Sequence, residues 1–93
     1  PNQIQSLAVR NFHRSMLEIS RDALDSLPTS KRHVSSLTVQ MTEAEYEFVT
    51  ERLAELRDEL MAQLEKNREG GTTQIYQVGF QVTPLTLAPE DNN

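Results

Sequence analysis

The chain has 93 residues, of which 37% are hydrophobic and 25% are charged, and its net charge is −5. This length predicts one small soluble domain with a thin core. The sequence has no cysteine, which excludes a disulfide framework or thiolate metal site and favours a cytoplasmic location. No run approaches the roughly 18 apolar residues of a membrane helix, so no membrane contact is expected. The opening "PNQIQSLAV" lacks an initiator Met, and we expect a piece of a longer protein, with processing of the chain as the alternative.

Charge is distributed unevenly along the chain. Residues 1–42 carry five basic and three acidic side chains, residues 43–69 carry four basic and nine acidic ones, and residues 70–93 add two acidic ones. Phosphate binding requires clustered Lys and Arg, so this distribution argues against a nucleic-acid surface.

The first predicted element is a helix that begins near Asn11, a possible N-cap, after an irregular linker or lead-in at residues 1–9. Its apolar stripe recurs at helical spacing and consists of Phe12, Met16, Ile19, Ala23 and Leu27. His13 borders this stripe. Pro28 predicts the end of the helix.

A strand is predicted next, over about Ser35–Met41, because apolar and polar residues alternate there. Thr42 and Glu45 have the spacing of a capping box. They predict the start of a long helix over roughly Glu43–Arg68, which Gly70 and Gly71 would end. Its continuous apolar seam consists of Tyr46, Val49, Leu53, Leu56, Leu60 and Leu64.

A second strand is predicted within residues 73–84, where Tyr76, Val78, Phe80 and Val82 share one face. The predicted order is therefore α-β-α-β, an α+β fold with a βαβ unit, in one domain over residues 10–87 followed by a disordered tail at 88–93. At about 1.5 Å per residue the long helix overshoots a seven-residue strand of about 23 Å. The free strand edge and the overlong helix together predict a homodimer that completes the small sheet.

Nothing in the sequence predicts catalysis, a metal site or a cofactor. His13 and His33 lack the spacing of a metal pair, so a structural or exposed role is expected for both. The row Glu47, Glu51, Glu55 and Glu59 lies opposite the apolar seam and is expected to be a solvated face. We therefore expect a protein that is not an enzyme.

The candidate site is accordingly an interface. Its predicted residues are Leu53, Leu56, Leu60 and Leu64 on the long helix, Val78, Phe80 and Val82 on the second strand, and the isolated residues Phe48 and His13. Phe48 lies on the acidic side of the helix. It is either an exposed binding spot or is covered by the first helix or the following strand; the covered alternative is favoured.

The chain resembles a known family over residues 9–87. Three stretches carry this resemblance: "VRNFHRSMLEISRDAL", "RHVSSLTVQMTEAEYEFVTERLAELRDEL" and "IYQVGFQVTPLT". It resembles the C-terminal domain of unknown function of a bacterial family of conserved hypothetical proteins, described as predicted helix-turn-helix transcriptional regulators. Thr83 stands where that pattern tends to have an aromatic residue. The resemblance implies that DNA binding belongs to an N-terminal half outside this sequence, and it brings no catalytic residues.

Two functions are therefore expected from different classes. The first is a non-catalytic dimerisation or regulatory domain, with or without a sensed ligand, of a bacterial regulator of transcription. The alternative is a stand-alone adaptor that binds another protein through its strand edge or Phe48.

Overall fold

The computed structural model describes residues 2–66 and 70–87 of the chain. Within them lie two α-helices, α1 over Gln3–Ser26 and α2 over Glu43–Lys66, and a short 3₁₀ helix over Thr29–Lys31. The chain divides into two units, Pro1–Thr38 and Val39–Asn93, so that each unit contains one of the α-helices.

Helix α1 begins earlier than the sequence predicted. The side chain of Asn2 accepts a hydrogen bond from the Gln5 amide at 2.8 Å, so Asn2 rather than Asn11 is the N-cap. Residues 3–9, expected to be irregular, form the first turns of this helix.

The end of α1 lies where Pro28 predicted it. Ser26 is the last helical residue, and the Leu27 amide still donates to the Ala23 carbonyl at 3.1 Å. The 3₁₀ helix follows, and the Arg32 guanidinium Nε donates back to the Leu27 carbonyl at 3.2 Å. This bond occupies a carbonyl at the helix end that has no partner within the helix.

Helix α2 begins with the predicted capping box. The Glu45 amide donates to the Thr42 hydroxyl at 3.1 Å, and the Thr42 amide donates to the Glu45 carboxylate at 2.9 Å. The described helix ends at Lys66. The predicted end at Arg68 lies outside the described residues, as does the predicted tail at 88–93. Gly71 has a φ of +127°, a backbone conformation that favours glycine.

The predicted α+β fold is wrong. Residues 32–42 and 72–84, which contain both predicted strands, form no strand or sheet among the described residues, so the βαβ unit and the dimer-completed sheet are withdrawn. Alternation of apolar and polar residues shows which side chains share a face. A strand also requires a hydrogen-bonding neighbour, and a pair of strands alone is marginal in water.

None of the described residues is fully buried. The half-buried ones are Met16, Ala23, Arg32, Val49, Thr50, Leu53, Ala54 and Val82. The described part of a single copy therefore has no hydrophobic core, although its helices are amphipathic.

Candidate interaction surfaces

The first candidate surface is the α2 seam, defined as Tyr46, Val49, Leu53, Leu56, Leu60 and Leu64. Val49 and Leu53 are half-buried, whereas the other four are exposed, with Leu64 reaching 65%. Six apolar side chains at intervals of three and four residues form one stripe along the helix. Such a stripe is typical of a helix face that packs against another surface.

The side of α2 away from the seam is acidic. Ala54 and Met61 widen the apolar face on one side, and Glu47, Glu51 and Asp58 lie beyond them on the back of the helix, about 140–180° from the centre of the seam at 100° per residue. All three are exposed. Residues 43–66 contain eight acidic and three basic side chains, so this helix has a charge of −5.

The ion pairs on α2 connect neighbours along the helix. Arg52 contacts Glu55 at 2.7 Å, and Arg57 contacts Asp58 at 3.3 Å. Every side chain in these pairs is more than 60% exposed. Exposed pairs of this kind contribute about 0–1 kcal/mol, so they do not fix these side chains firmly.

Phe48 is exposed, at 62%, and lies away from the seam. The sequence analysis favoured a cover from the first helix or the following strand, and such a cover stays a prediction. The predicted row of Glu47, Glu51, Glu55 and Glu59 is exposed, as expected of a solvated face.

The predicted interface residues after α2 lie on an extended segment. Exposure falls from 64% at Val78 to 43% at Phe80, and Val82 is half-buried. Ile75, on the opposite face, is fully exposed. Only the C-terminal end of this segment is therefore partly shielded by the chain.

Helix α1 carries the second candidate surface, a wide apolar face that we call the α1 arc: Val9, Phe12, Met16, Leu17, Ile19, Ala23 and Leu24. Phe12 and Ile19 are exposed, whereas Met16 and Ala23 are half-buried. The rings of Phe12 and the predicted interface residue His13 meet edge to face, with centroids 5.6 Å apart. His13 thus lies against the Phe12 ring within this apolar face, and its part in an interface stays a prediction.

Three arginines border the α1 arc beside Leu17, and we call Arg10, Arg14 and Arg21 the basic border. With His13, Leu17 and Glu18 they line a shallow open hollow of about 430 Å³ on the helix surface. The Arg14 guanidinium donates to the Asn11 side chain at 2.7 Å, and Arg21 contacts Asp22 at 3.2 Å. The sequence analysis missed this border, although the opposite charges of the two halves of the chain were a signal for it.

The remaining polar side chains of the described residues form few groupings that suggest a catalytic or metal-binding site. The His33 ring lies 3.1 Å from the Ser35 hydroxyl. Across residues 2–66 and 70–87, no group of His, Asp or Glu side chains is arranged to hold a metal ion. The helices described here are also too polar or too short to cross a membrane.

The chain belongs to a family described as a domain of unknown function (DUF4423), which matches residues 1–85. This confirms the part of the resemblance that concerns a domain of unknown function. No curated protein matches the chain, and neither does any solved structure.

Proposed function

We propose that this domain is a non-catalytic dimerisation and regulatory module, the C-terminal part of a bacterial regulator of transcription. One observation carries the proposal: the seam of α2 is a continuous apolar face, yet most of it is exposed in a single copy. Monomeric proteins rarely leave contiguous apolar faces of this kind in water, and such faces mark sites of protein association.

A homodimer provides the missing cover most simply, because most soluble oligomers are assembled from identical chains. The predicted interface residues Leu53, Leu56, Leu60 and Leu64 would lie within it, together with Val82 at the shielded end of the extended segment. In the whole protein, the dimer would set the distance between two DNA-binding halves, and a symmetric operator would match that distance. The resemblance supports this role in transcription, with DNA bound outside these 93 residues.

The test is the solution mass of the chain, measured by light scattering across a dilution series. We expect twice the monomer mass of 10.6 kDa at micromolar concentration, with dissociation on dilution. Leu60→Lys places a charge on the seam and removes an apolar contact that contributes about 1.5–3 kcal/mol when buried. We expect it to raise the dissociation constant by about tenfold or more.

Ala62→Lys is the matched control, because it adds the same charge on the opposite, exposed side of α2. It should leave the dissociation constant unchanged, and circular dichroism should show the same helix content in both variants. A parent chain that stays at 10.6 kDa at every concentration would contradict the proposal.

The exposure of Phe48 favours a second candidate, an adaptor that binds a different protein. Phe48 is a large apolar side chain among carboxylates, and a single exposed aromatic residue can anchor a small interface. A monomeric parent would favour this function. Phe48→Ala should then abolish capture of a partner, whereas it should leave homodimerisation intact if the first function is correct.

A further inference from the structure

We propose that the surface covering the α2 seam is the α2 seam of a second copy, packed antiparallel about a two-fold axis in one register. This inference rests on the proposed homodimer and names the surface, the direction and the register that form it. Three features of the described residues support it: the apolar layers that this packing brings together, the charges directly beside the seam, and the like-charge contacts that other packings of two seams would create.

The spacing of the α2 seam allows two antiparallel copies to interlock. Intervals of three and four residues alternate through its first five residues, as they do where the side chains of two helices fit between one another. With Leu53 of one copy opposite the partner's Leu56, Val49 comes level with the partner's Leu60. The two-fold axis repeats both pairs, so the centre of the interface consists of aliphatic layers, and Tyr46 closes each end.

Charged side chains of alternating sign lie directly beside the seam, along one edge of it. At 100° per residue, Arg52 and Glu59 lie only about 40° and about 60° around the helix from Leu56. Glu45 and Lys66 hold the equivalent positions seven residues before and after them, and all four side chains are exposed. We call Glu45, Arg52, Glu59 and Lys66 the flanking row. Positions seven residues apart stay aligned when two helices wind around each other, so the flanking row follows the seam.

Every member of the flanking row meets an opposite charge in this register. Antiparallel packing about a two-fold axis brings the same edge of both seams together. Arg52 then lies beside the partner's Glu59, and Glu45 beside the partner's Lys66. The axis repeats each pair, and the charges of the two copies are therefore complementary along the whole edge, which favours this arrangement.

A shift of one copy by seven residues in either direction would make like charges meet. Moved one way, Arg52 faces the partner's Arg52, and Glu45 faces the partner's Glu59. Moved the other way, Glu59 faces the partner's Glu59, and Arg52 faces the partner's Lys66. Contacts of this kind act against the wrong pairing, so the order of charges selects one register.

Parallel packing of two seams is disfavoured by the same physics. It would bring opposite edges together and place Arg52 against the partner's Arg57 on both sides of the dimer. In the antiparallel pair Arg57 instead meets the partner's uncharged Thr50. The contact of Arg52 with Glu55 in its own helix is exposed and weak, so Arg52 can exchange it for the partner's Glu59.

The net negative charge of α2 does not oppose this pairing. Glu47, Glu51 and Asp58 lie on the back of the helix, and in the antiparallel pair they face solvent on the outer sides of the two helices. Charges that are exposed and well separated are largely screened by salt.

Introduced thiols test the direction and the register directly, because the chain has no cysteine. The variants are Val49→Cys and Leu60→Cys in the full chain, each oxidised alone and as an equal mixture. In the proposed packing, position 49 lies level with position 60 of the partner, whereas two copies of position 49 are about 16 Å apart along the helix axis. A disulfide requires Cα atoms within about 7 Å. We expect a linked dimer of one copy of each variant from the mixture, identified by mass, and almost none from either variant alone.

Ala62→Cys is the matched control, because it places the same thiol on the side of α2 opposite the seam. Mixed with Val49→Cys, it should give no more linked dimer than either variant alone. The oxidation is carried out at a concentration where light scattering shows the reduced variants to be dimers, and circular dichroism should show the same helix content in all three.

A charge reversal provides a second readout that leaves the apolar layers intact. Glu59→Arg would face the partner's Arg52 at both symmetric contacts, so we expect the dissociation constant to rise about fivefold or more. Glu51→Arg is its matched control on the back of the helix and should have no such effect. Combining Glu59→Arg with Arg52→Glu restores opposite charges and should return the dissociation constant to near the parent value.

Four outcomes would overturn the inference. If each thiol variant forms linked dimers alone, or if Arg52→Glu alone tightens the dimer, the seams pack parallel. If the parent is a dimer but the mixture gives no linked product, another surface covers the seam and only the proposed function stands. If Glu59→Arg dimerises like Glu51→Arg, the register is wrong. A parent chain that stays at 10.6 kDa at every concentration would overturn the proposed function as well.

Discussion

Thr42 illustrates how much local structure depends on one side chain in this protein. Its hydroxyl accepts from the Glu45 amide and its amide donates to the Glu45 carboxylate, so two groups at the start of α2 that lack helical partners are satisfied together. Residues 32–42 are neither helical nor paired, and no neighbouring element fixes where α2 begins. The capping box therefore sets the start of the helix.

Replacing this cap should measurably weaken α2. We expect Thr42→Ala to lower the free energy of unfolding by about 1 kcal/mol, the usual cost of losing an N-cap. Urea unfolding followed by circular dichroism at 222 nm would measure it.

Thr42→Ser, which keeps the hydroxyl, should retain most of that stability. Thr38→Ala is the matched control, because Thr38 is exposed outside any helix and should have no effect. Equal losses for Thr42→Ala and Thr38→Ala would show that the cap is not the cause.

At the scale of elements, the sequence of α1 contains signals for its early start that the prediction did not use. Ile4, Leu7 and Ala8 have helical spacing, and Asn2 provides a capping side chain. The prediction began the helix at Asn11 because polar residues around these positions suggested a linker. Two asparagines offered possible caps, and the earlier one is used.

The first turns of α1 can be tested with proline. Ala8→Pro should remove about two turns of helix from the circular dichroism signal, because proline clashes with the preceding turn and lacks the amide hydrogen.

Gln3→Pro should be tolerated, since Gln3 is the first residue of α1, a position where proline fits. If residues 1–9 were a linker, both variants would resemble the parent.

The helices, the capping box and the stop before Pro28 were predictable because local signals determine them. The lack of a sheet among the described residues was not predictable. A strand forms only beside a second strand, and the alternation of apolar and polar residues does not say whether one is there. Val78 and Phe80 have the pattern of a strand face, yet both are exposed. At the candidate site, Leu53 to Leu64 were chosen by spacing alone, and their place in an interface stays a prediction. The basic border was missed because the charges were summed over whole segments and not placed around the helix.

At the scale of the whole molecule, the central fact is that no described residue is fully buried. A small domain normally removes about 60% of its unfolded surface from water, and its stability is a small difference between large terms. If the proposed homodimer supplies that burial, the stability of the chain and its oligomeric state become one property, and the unfolding midpoint should rise with protein concentration.

The charge of the whole chain predicts its behaviour with DNA. At a net charge of −5, the 93-residue chain should cause no mobility shift of a duplex at 50 mM salt, because non-specific binding to DNA depends on neutralising phosphates. A shift that weakened with rising salt would contradict this and would place a DNA-binding surface within the domain.

The absence of buried side chains among the described residues of one copy also changes the effect of natural variation at Leu56 or Leu60. In a packed interior, shortening a leucine leaves a void whose cost depends on how far the surroundings collapse. On the open face of a single copy there is no void to create, so in the proposed dimer the penalty would arise where two copies meet. A substitution on the seam of one copy would then be compensated by a change on the face that covers it in the other, and a mixed population of alleles would sort into matched and mismatched pairs.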